Sequence, residues 1–284
     1  MNVQGVEVER AYKKSSMNVL HAGYNIGAAA SACAGSFFAA TSLSVWVNFL
    51  LPALVMSVML WWAEPRLVTG TEGRADKSTA ASPESAEPQK RLPFLVWICG
   101  LLCVCCYVSE GSVGEWGSLY LHQEKGAPES IAALVFAGFS MFSLLCRLTG
   151  DRLRNNFGDF AVGTAGATLA LVGMLTVLTA SSWSVCLIGY AMMGLGQAPI
   201  VPIAFSRAGA IKGVSTARAT SLVSLLAYAG LLFAPPAFGL SAEHFGLHTA
   251  LCAVPVLLTF MLGLTIFLGR LIRRSREENA STAA

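Results

Sequence analysis

The sequence predicts an all-α integral membrane protein with eight transmembrane helices, and three observations predict it. Of 284 residues, 55% are hydrophobic and only 12% are charged, against about 25% charged in a soluble domain. Eight apolar runs, at residues 17–40, 43–63, 92–121, 130–148, 160–180, 183–205, 219–240 and 247–269, each approach or exceed the roughly 20 residues that cross a bilayer as a helix. The basic residues between those runs fall almost entirely on one side.

Taken in order, residues 1–16 (MNVQGVEVERAYKKSS) are polar and charged, and no apolar core of signal-peptide form follows their basic residues. They read as an aqueous segment before the first two spans. Residues 66–91, rich in Ser, Ala, Pro, Glu and Lys, bury too little apolar surface to fold. This divides the chain into a two-helix piece (residues 1–65), a flexible linker (66–91), a six-helix piece (92–270) and a tail (271–284). The remaining loops are short, so sequential helices pack as antiparallel neighbours.

Lys and Arg set the orientation. With an even number of spans, 18 of the 19 basic residues share the side of residues 1–16, and Lys125 alone lies on the other. Both termini are therefore expected in the cytoplasm. A faint internal repeat pairs Met17-Asn18-Val19 and Gly27 with Thr220-Ser221-Leu222 and Gly230, as two halves of a transporter would leave.

Several function classes are excluded. There is no HExxH, no GxSxG, and no GxGD, since Leu148 precedes Thr149-Gly150-Asp151. An enzyme is not expected. The eight cysteines all sit in apolar runs and read as small buried hydrophobes. Cys103, Cys105 and Cys106 crowd one helix with no second ligand cluster, and His244 and His248 straddle a loop with only Glu243 nearby. No metal site, cofactor or nucleic-acid partner is expected.

The polar residues inside apolar runs carry the functional reading, because an ionisable group in hydrocarbon costs about 2.5–3.5 kcal/mol on insertion scales unless it is paired or wetted. Glu110 lies in the run from Leu92 to Leu121 and is the first candidate for a proton or substrate role, with a structural hydrogen bond as the alternative. Glu115 is about 140° away on an ideal helix and about 8 Å farther along it, where a solvated helix end is the favoured reading. Gly111, Gly114 and Gly117 would allow local unwinding. His21 and Asn25, one turn apart, either line a polar cavity or bond locally. Gln197 and Tyr228 either contact a hydroxylated solute or join helices. Pro199, Pro202 and the pair Pro235-Pro236 predict kinks. In the segment Arg147-Leu-Thr-Gly-Asp-Arg-Leu-Arg-Asn-Asn-Phe-Gly158, read as a tight loop, Asp151 is placed to accept hydrogen bonds from a helix N-terminus while Arg147, Arg152 and Arg154 lock neighbouring helix ends.

That segment resembles the Gly-x-x-x-Asp-Arg signature of the major facilitator superfamily, in the form GRLxGDRLxxRFG seen in its second half, with Cys146 and Asn156 departing from the pattern. The stretch from Gly111 to Leu121, containing Glu115 and Trp116, is similar to the DWSALYL region in the seventh helix of the family's YbjJ-like branch. Asn2 to Arg10 with Ser16 and His21 is similar to that branch's loop between helices four and five, and Gly194 to Pro202 to its tenth helix. The resemblance implies a partial major facilitator fold: helices five to twelve, that is, two helices of the first bundle and a complete second bundle. It implies a secondary, proton-coupled carrier of a small polar solute in a bacterial inner membrane, working by alternating access. Its pathway candidates are His21, Asn25, Glu110, Glu115, Trp116, Gln197 and Tyr228, and its cytoplasmic gate is Arg147, Gly150, Asp151, Arg152 and Arg154. The implied partners are the lipid bilayer, the solute and protons; the four absent helices are explained by a misassigned start, a truncated gene or a chain that supplies them. The alternative is a non-transporting fragment or partner subunit of such a carrier.

Overall fold

The computed structural model describes residues 2–23, 25–27, 45–66, 92–211 and 213–282. The linker, most of the first apolar run and Lys212 lie outside the described residues. Those described are almost entirely helical, with no strand among them. In chain order the helices are α1 (Asn2–Tyr12), α2 (residues 17–27, with 24 outside the description), α3 (Val45–Ala63), α4 (Phe94–Gln123), α5 (Glu129–Ala132), α6 (Val135–Thr179), α7 (Trp183–Gln197), α8 (Ile200–Gly209), α9 (Thr216–Phe245), α10 (Leu247–Leu251) and α11 (Ala253–Thr282).

Among the described residues, five helical stretches are long and apolar enough to cross a membrane. The longest of them, α6, is two helices joined at a kink. Its 45 residues would reach about 68 Å as a straight helix, more than twice the ~30 Å of a hydrocarbon core. Gly158 breaks it, with φ 81 and ψ 158, a backbone conformation open to glycine and strained for residues with a Cβ. The two halves then lie side by side. A Cβ on Gly194 of α7 would meet the carbonyl of Phe139, and one on Gly196 would meet the backbone of Gly166. Phe139 and Gly166 would stand about 40 Å apart along one straight helix, so the chain must fold back at Gly158.

Two differences from the sequence reading follow. The segment from Arg147 to Phe157 is helix rather than a tight loop, because nothing in it breaks a helix before Gly158; its charged side chains project from the last three turns of a span. The residues of the tail, expected as a separate segment, continue α11 to Thr282. The prolines divide. Ala198 and Pro199 form a turn between α7 and α8, whereas α9 runs through Pro235 and Pro236, and α3 through Pro52, without interruption. The glycines of α4 do not unwind it either: the helix is continuous from Phe94 to Gln123.

Helix α4 is the hub, packing against α9, α11, α8 and α6. Its inward face carries Cys99, Leu102, Cys103, Cys105, Cys106, Val113 and Tyr120. Of the cysteines, Cys146 is half-buried and Cys252 is exposed rather than buried; Cys33 lies outside the described residues. Helices α6 and α7 approach backbone to backbone. A Cβ at Gly173 would stand 2.6 Å from the Gly189 carbonyl, and one at Gly189 2.6 Å from the Gly173 carbonyl, the small-residue contact that van der Waals packing between membrane helices requires. Ser215 caps α9 by accepting from the Arg218 N–H at 3.3 Å, and Gly246, at φ 82, ends it.

The opposite pattern marks α3. Every described side chain from Trp46 to Trp62 is exposed, including Phe49, Leu54, Trp61 and Trp62. A helix that is apolar on all sides belongs in hydrocarbon or against other apolar helices.

Candidate functional site: a charged latch below a buried polar layer

The helix ends on the basic side meet in one cluster. Helix α2 begins at Ser16, whose carbonyl accepts from the Leu20 N–H. The amides before that first bond have no partner within the helix. Two carboxylates from elsewhere in the chain satisfy them. Glu9 Oε1 accepts from the N–H groups of Ser16 (2.9 Å) and Met17 (3.1 Å). Asp151 Oδ1 accepts from the Asn18 N–H (3.3 Å) and Asn18 Nδ2 (2.9 Å), and its Oδ2 accepts from the Val19 N–H (3.2 Å). Negative charge at this end also complements the helix dipole, worth roughly half an elementary charge.

Arg154 ties the carboxylates together. Its Nη1 lies 3.4 Å from both Glu9 Oε1 and Asp151 Oδ1, and its Nε donates to Asp159 Oδ1 at 2.8 Å. Arg207 Nε donates to the other Asp159 oxygen at 2.6 Å, and the Ser206 hydroxyl donates to Glu9 Oε2. Burial pushes the Asp159 carboxyl upward, but the Arg154 hydrogen bond and the two guanidinium charges outweigh it and hold the group below the usual carboxylate range. Three carboxylates and two guanidinium groups thus join α1, α2, α6 and α8.

Gly150 makes the approach possible. A Cβ there would meet the Asn18 side chain at 2.9 Å. Of the residues expected at this gate, Gly150, Asp151 and Arg154 are in the cluster. Arg152 is exposed on the other face of the helix. Arg147 lies one turn deeper and is 5% exposed.

Arg147 belongs to a second, buried layer. Its Nη1 donates to Asn25 Oδ1 at 3.0 Å, one turn from His21 on the same face of α2. Glu110, partly buried, sits at the middle of α4, about 24 Å from its start. Beside it, Cys106 Sγ lies 3.7 Å from the Gln197 carbonyl and 3.8 Å from Gln197 Oε1, and Gln197 Nε2 donates to Ser109 Oγ at 2.6 Å. Gln197 therefore joins α7 to α4. Tyr228 is exposed, its ring 6.0 Å from that of Tyr107 on the same side of α4 as Glu110. The structure thus joins Asn25 to Arg147, with His21 one turn away on α2, and places Glu110 one turn from Cys106, which contacts Gln197. Glu115 is exposed, and Trp116 packs against Gly239; neither reaches this layer.

The far end of the bundle is simpler. Lys125 Nζ donates to the carbonyls of Leu178 (3.1 Å) and Ala180 (2.7 Å), capping the second half of α6. His248 Nδ1 is 2.8 Å from Tyr120 Oη, and His244 Nδ1 bonds the Leu240 carbonyl. Among the described residues no group of three or more His, Cys, Asp or Glu is placed to hold a metal. A cavity of about 240 Å³ opens beside Asp159 and Arg207, lined also by Leu102, Ile203 and Thr265.

Sequence reasoning missed Glu9, Asn18, Asp159, Ser206 and Arg207. Glu9 is bonded to a residue 197 positions away and Asn18 to one 133 away, so no local pattern announces them. The one available signal was Glu9, an acidic residue on the short polar segment just before a span.

Comparison with known proteins gives a consistent picture. Residues 101–284 match the family model described as the Major Facilitator Superfamily. An uncharacterized transporter, y4wD, of Sinorhizobium fredii is 32% identical over 272 residues, covering 90% of this chain and 69% of the relative. An uncharacterized MFS-type transporter of Yersinia pestis is 28% identical over 258 residues, covering 91% of this chain and 65% of the relative. The chain thus spans about two thirds of the length of these relatives. Among solved structures, the MFS transporter FucP in its outward conformation shares the fold, with a TM-score of 0.53 and 22% identity over 63% of this chain and 44% of that one.

Proposed function

The chain belongs to the major facilitator superfamily, and on that premise we propose that it carries a small polar solute across a bacterial inner membrane by alternating access, coupled to protons. In this reading the basic helix ends and both termini face the cytoplasm. Helices α2 and α3 are the remnant of the first bundle, residues 92–270 are the second, and eight helices span in all. The observation that supports it most is the pair of carboxylates, Glu9 and Asp151, seated on the N-terminus of α2. A contact between one bundle's helix end and the other bundle's charged motif closes the cytoplasmic side and must separate for that side to open. Glu110 is the proton carrier: it lies mid-helix, one turn from Cys106, which contacts Gln197.

The test is accumulation of radiolabelled small polar solutes in proteoliposomes under an imposed proton gradient. Glu110→Gln is expected to abolish uphill accumulation while leaving downhill exchange in place. Unchanged accumulation removes Glu110 from the coupling.

A second reading is a partner subunit or fragment that transports only with helices supplied by another chain. The described side chains of α3 from Trp46 to Trp62, all exposed, favour it. Transport that appears only on co-production with a chain carrying the remaining helices decides for this reading; transport by the chain alone decides against it.

A further inference from the structure

We propose that the carried solute bears a carboxylate, bound by Arg147, Asn25 and His21. The inference rests on the carrier reading above and adds the chemical class of its solute.

The contrast among the buried arginines motivates it. Arg154 has three carboxylates around it and Arg207 has one. Arg147, as deeply buried as Arg154, bonds only a neutral amide oxygen, Asn25 Oδ1. Its Nε is buried without a partner, as are Asn25 Nδ2 and His21 Nε2. The guanidinium Nε and the amide Nδ2 can only donate, and the imidazole Nε2 donates in one of its tautomers. His21 and Asn25 are one turn apart, so they project from the same face of α2, the face whose Asn25 bonds Arg147. The cation's own Nε and two neighbouring donors on α2 therefore lack an acceptor.

Buried donors left unpaired are rare, because each forfeits its hydration. A water molecule accepts at one or two of them but brings no charge. A carboxylate supplies two oxygens with about four acceptor positions and neutralises the guanidinium through charge-assisted bonds. Glu110 does not fill this role: among the described residues no ion pair or hydrogen bond joins it to Arg147, whose Nη1 bonds Asn25. The unpaired donors lie on α2 and α6, the same two elements that the latch below connects, so a solute held there contacts both bundles.

The full chain in detergent tests this by thermal unfolding with matched probes at equal ionic strength: sodium gluconate against sorbitol, sodium glucuronate against glucose, and sodium lactate against propylene glycol. At least one carboxylate is expected to raise the Tm by about 2 °C or more above its neutral partner. Asn25→Asp places a carboxylate of similar shape beside Arg147. It is expected to raise the Tm without any probe and to abolish the carboxylate shift. Equal stabilisation by the neutral partners, a carboxylate shift that survives Asn25→Asp, or no shift from any carboxylate overturns the proposal. The two readings fail separately. Proteoliposome uptake of a neutral polyol that Asn25→Asp leaves intact keeps the carrier and removes the carboxylate site. Carboxylate binding without uptake of any solute does the reverse.

Discussion

Asp151→Ala is the perturbation whose size the structure specifies best. The carboxylate accepts from two backbone amides of α2, Asn18 and Val19, and from the Asn18 side chain. Loss of an N-terminal cap costs about 1 kcal/mol, and loss of a partly buried charge at the helix end up to ~2 kcal/mol. Alanine is the strongest helix former, so α6 itself is kept. The first turn of α2 is then weakened by about 3 kcal/mol, and local opening accelerates exchange of the Asn18 and Val19 amides roughly 100-fold. Hydrogen–deuterium exchange with electron-transfer fragmentation reads these amides singly. Ser16 and Met17, held by Glu9, serve as internal controls and change less. Unchanged exchange at Asn18 and Val19 in the variant refutes the assignment of Asp151 as the group that closes this helix end.

The remaining predictions are structural. Lys125→Ala leaves the Leu178 and Ala180 carbonyls without their capping ammonium and costs about 1 kcal/mol, read as a lower Tm in detergent; no change in Tm assigns those carbonyls to solvent. Gly189→Val drives a side chain into the Gly173 carbonyl, 2.6 Å from the new Cβ, and is expected to cost at least about 2–3 kcal/mol through overpacking. A Gly189→Val protein of wild-type Tm contradicts the close α6–α7 contact.

The fold class was legible because it rests on composition and on apolar runs long enough to span. The site was legible only in part. Asp151 and Arg154 were marked by a compact motif, and the capacity of Asp151 to bind a helix N-terminus follows from its chemistry alone. Their partners were not marked, since Glu9 and Asn18 are brought to them by packing across more than a hundred residues. The extent of α6 was misread because charge density suggested a loop, whereas helix termination depends on a breaker, and the first one is Gly158. Helical geometry separated Glu110 from Glu115 by face, and Glu115 is the exposed one. It had no means of setting Arg147 against Asn25, because that requires the relative register of two helices joined through most of the chain. Arg152 shows the converse limit: it stands in the motif but on the exposed side of the helix.

The central claim is that the carboxylate latch at the basic helix ends opens and closes. Spin labels at Lys13, beyond α1, and at Asn155, on the last turn before Gly158, straddle it. The distance between them is measured by double electron–electron resonance in nanodiscs, in a cysteine-free background. Two populations are expected, a shorter latched one and a longer open one, with Asp151→Ala moving the balance toward the longer distance. A single distance that Asp151→Ala leaves unchanged contradicts the account.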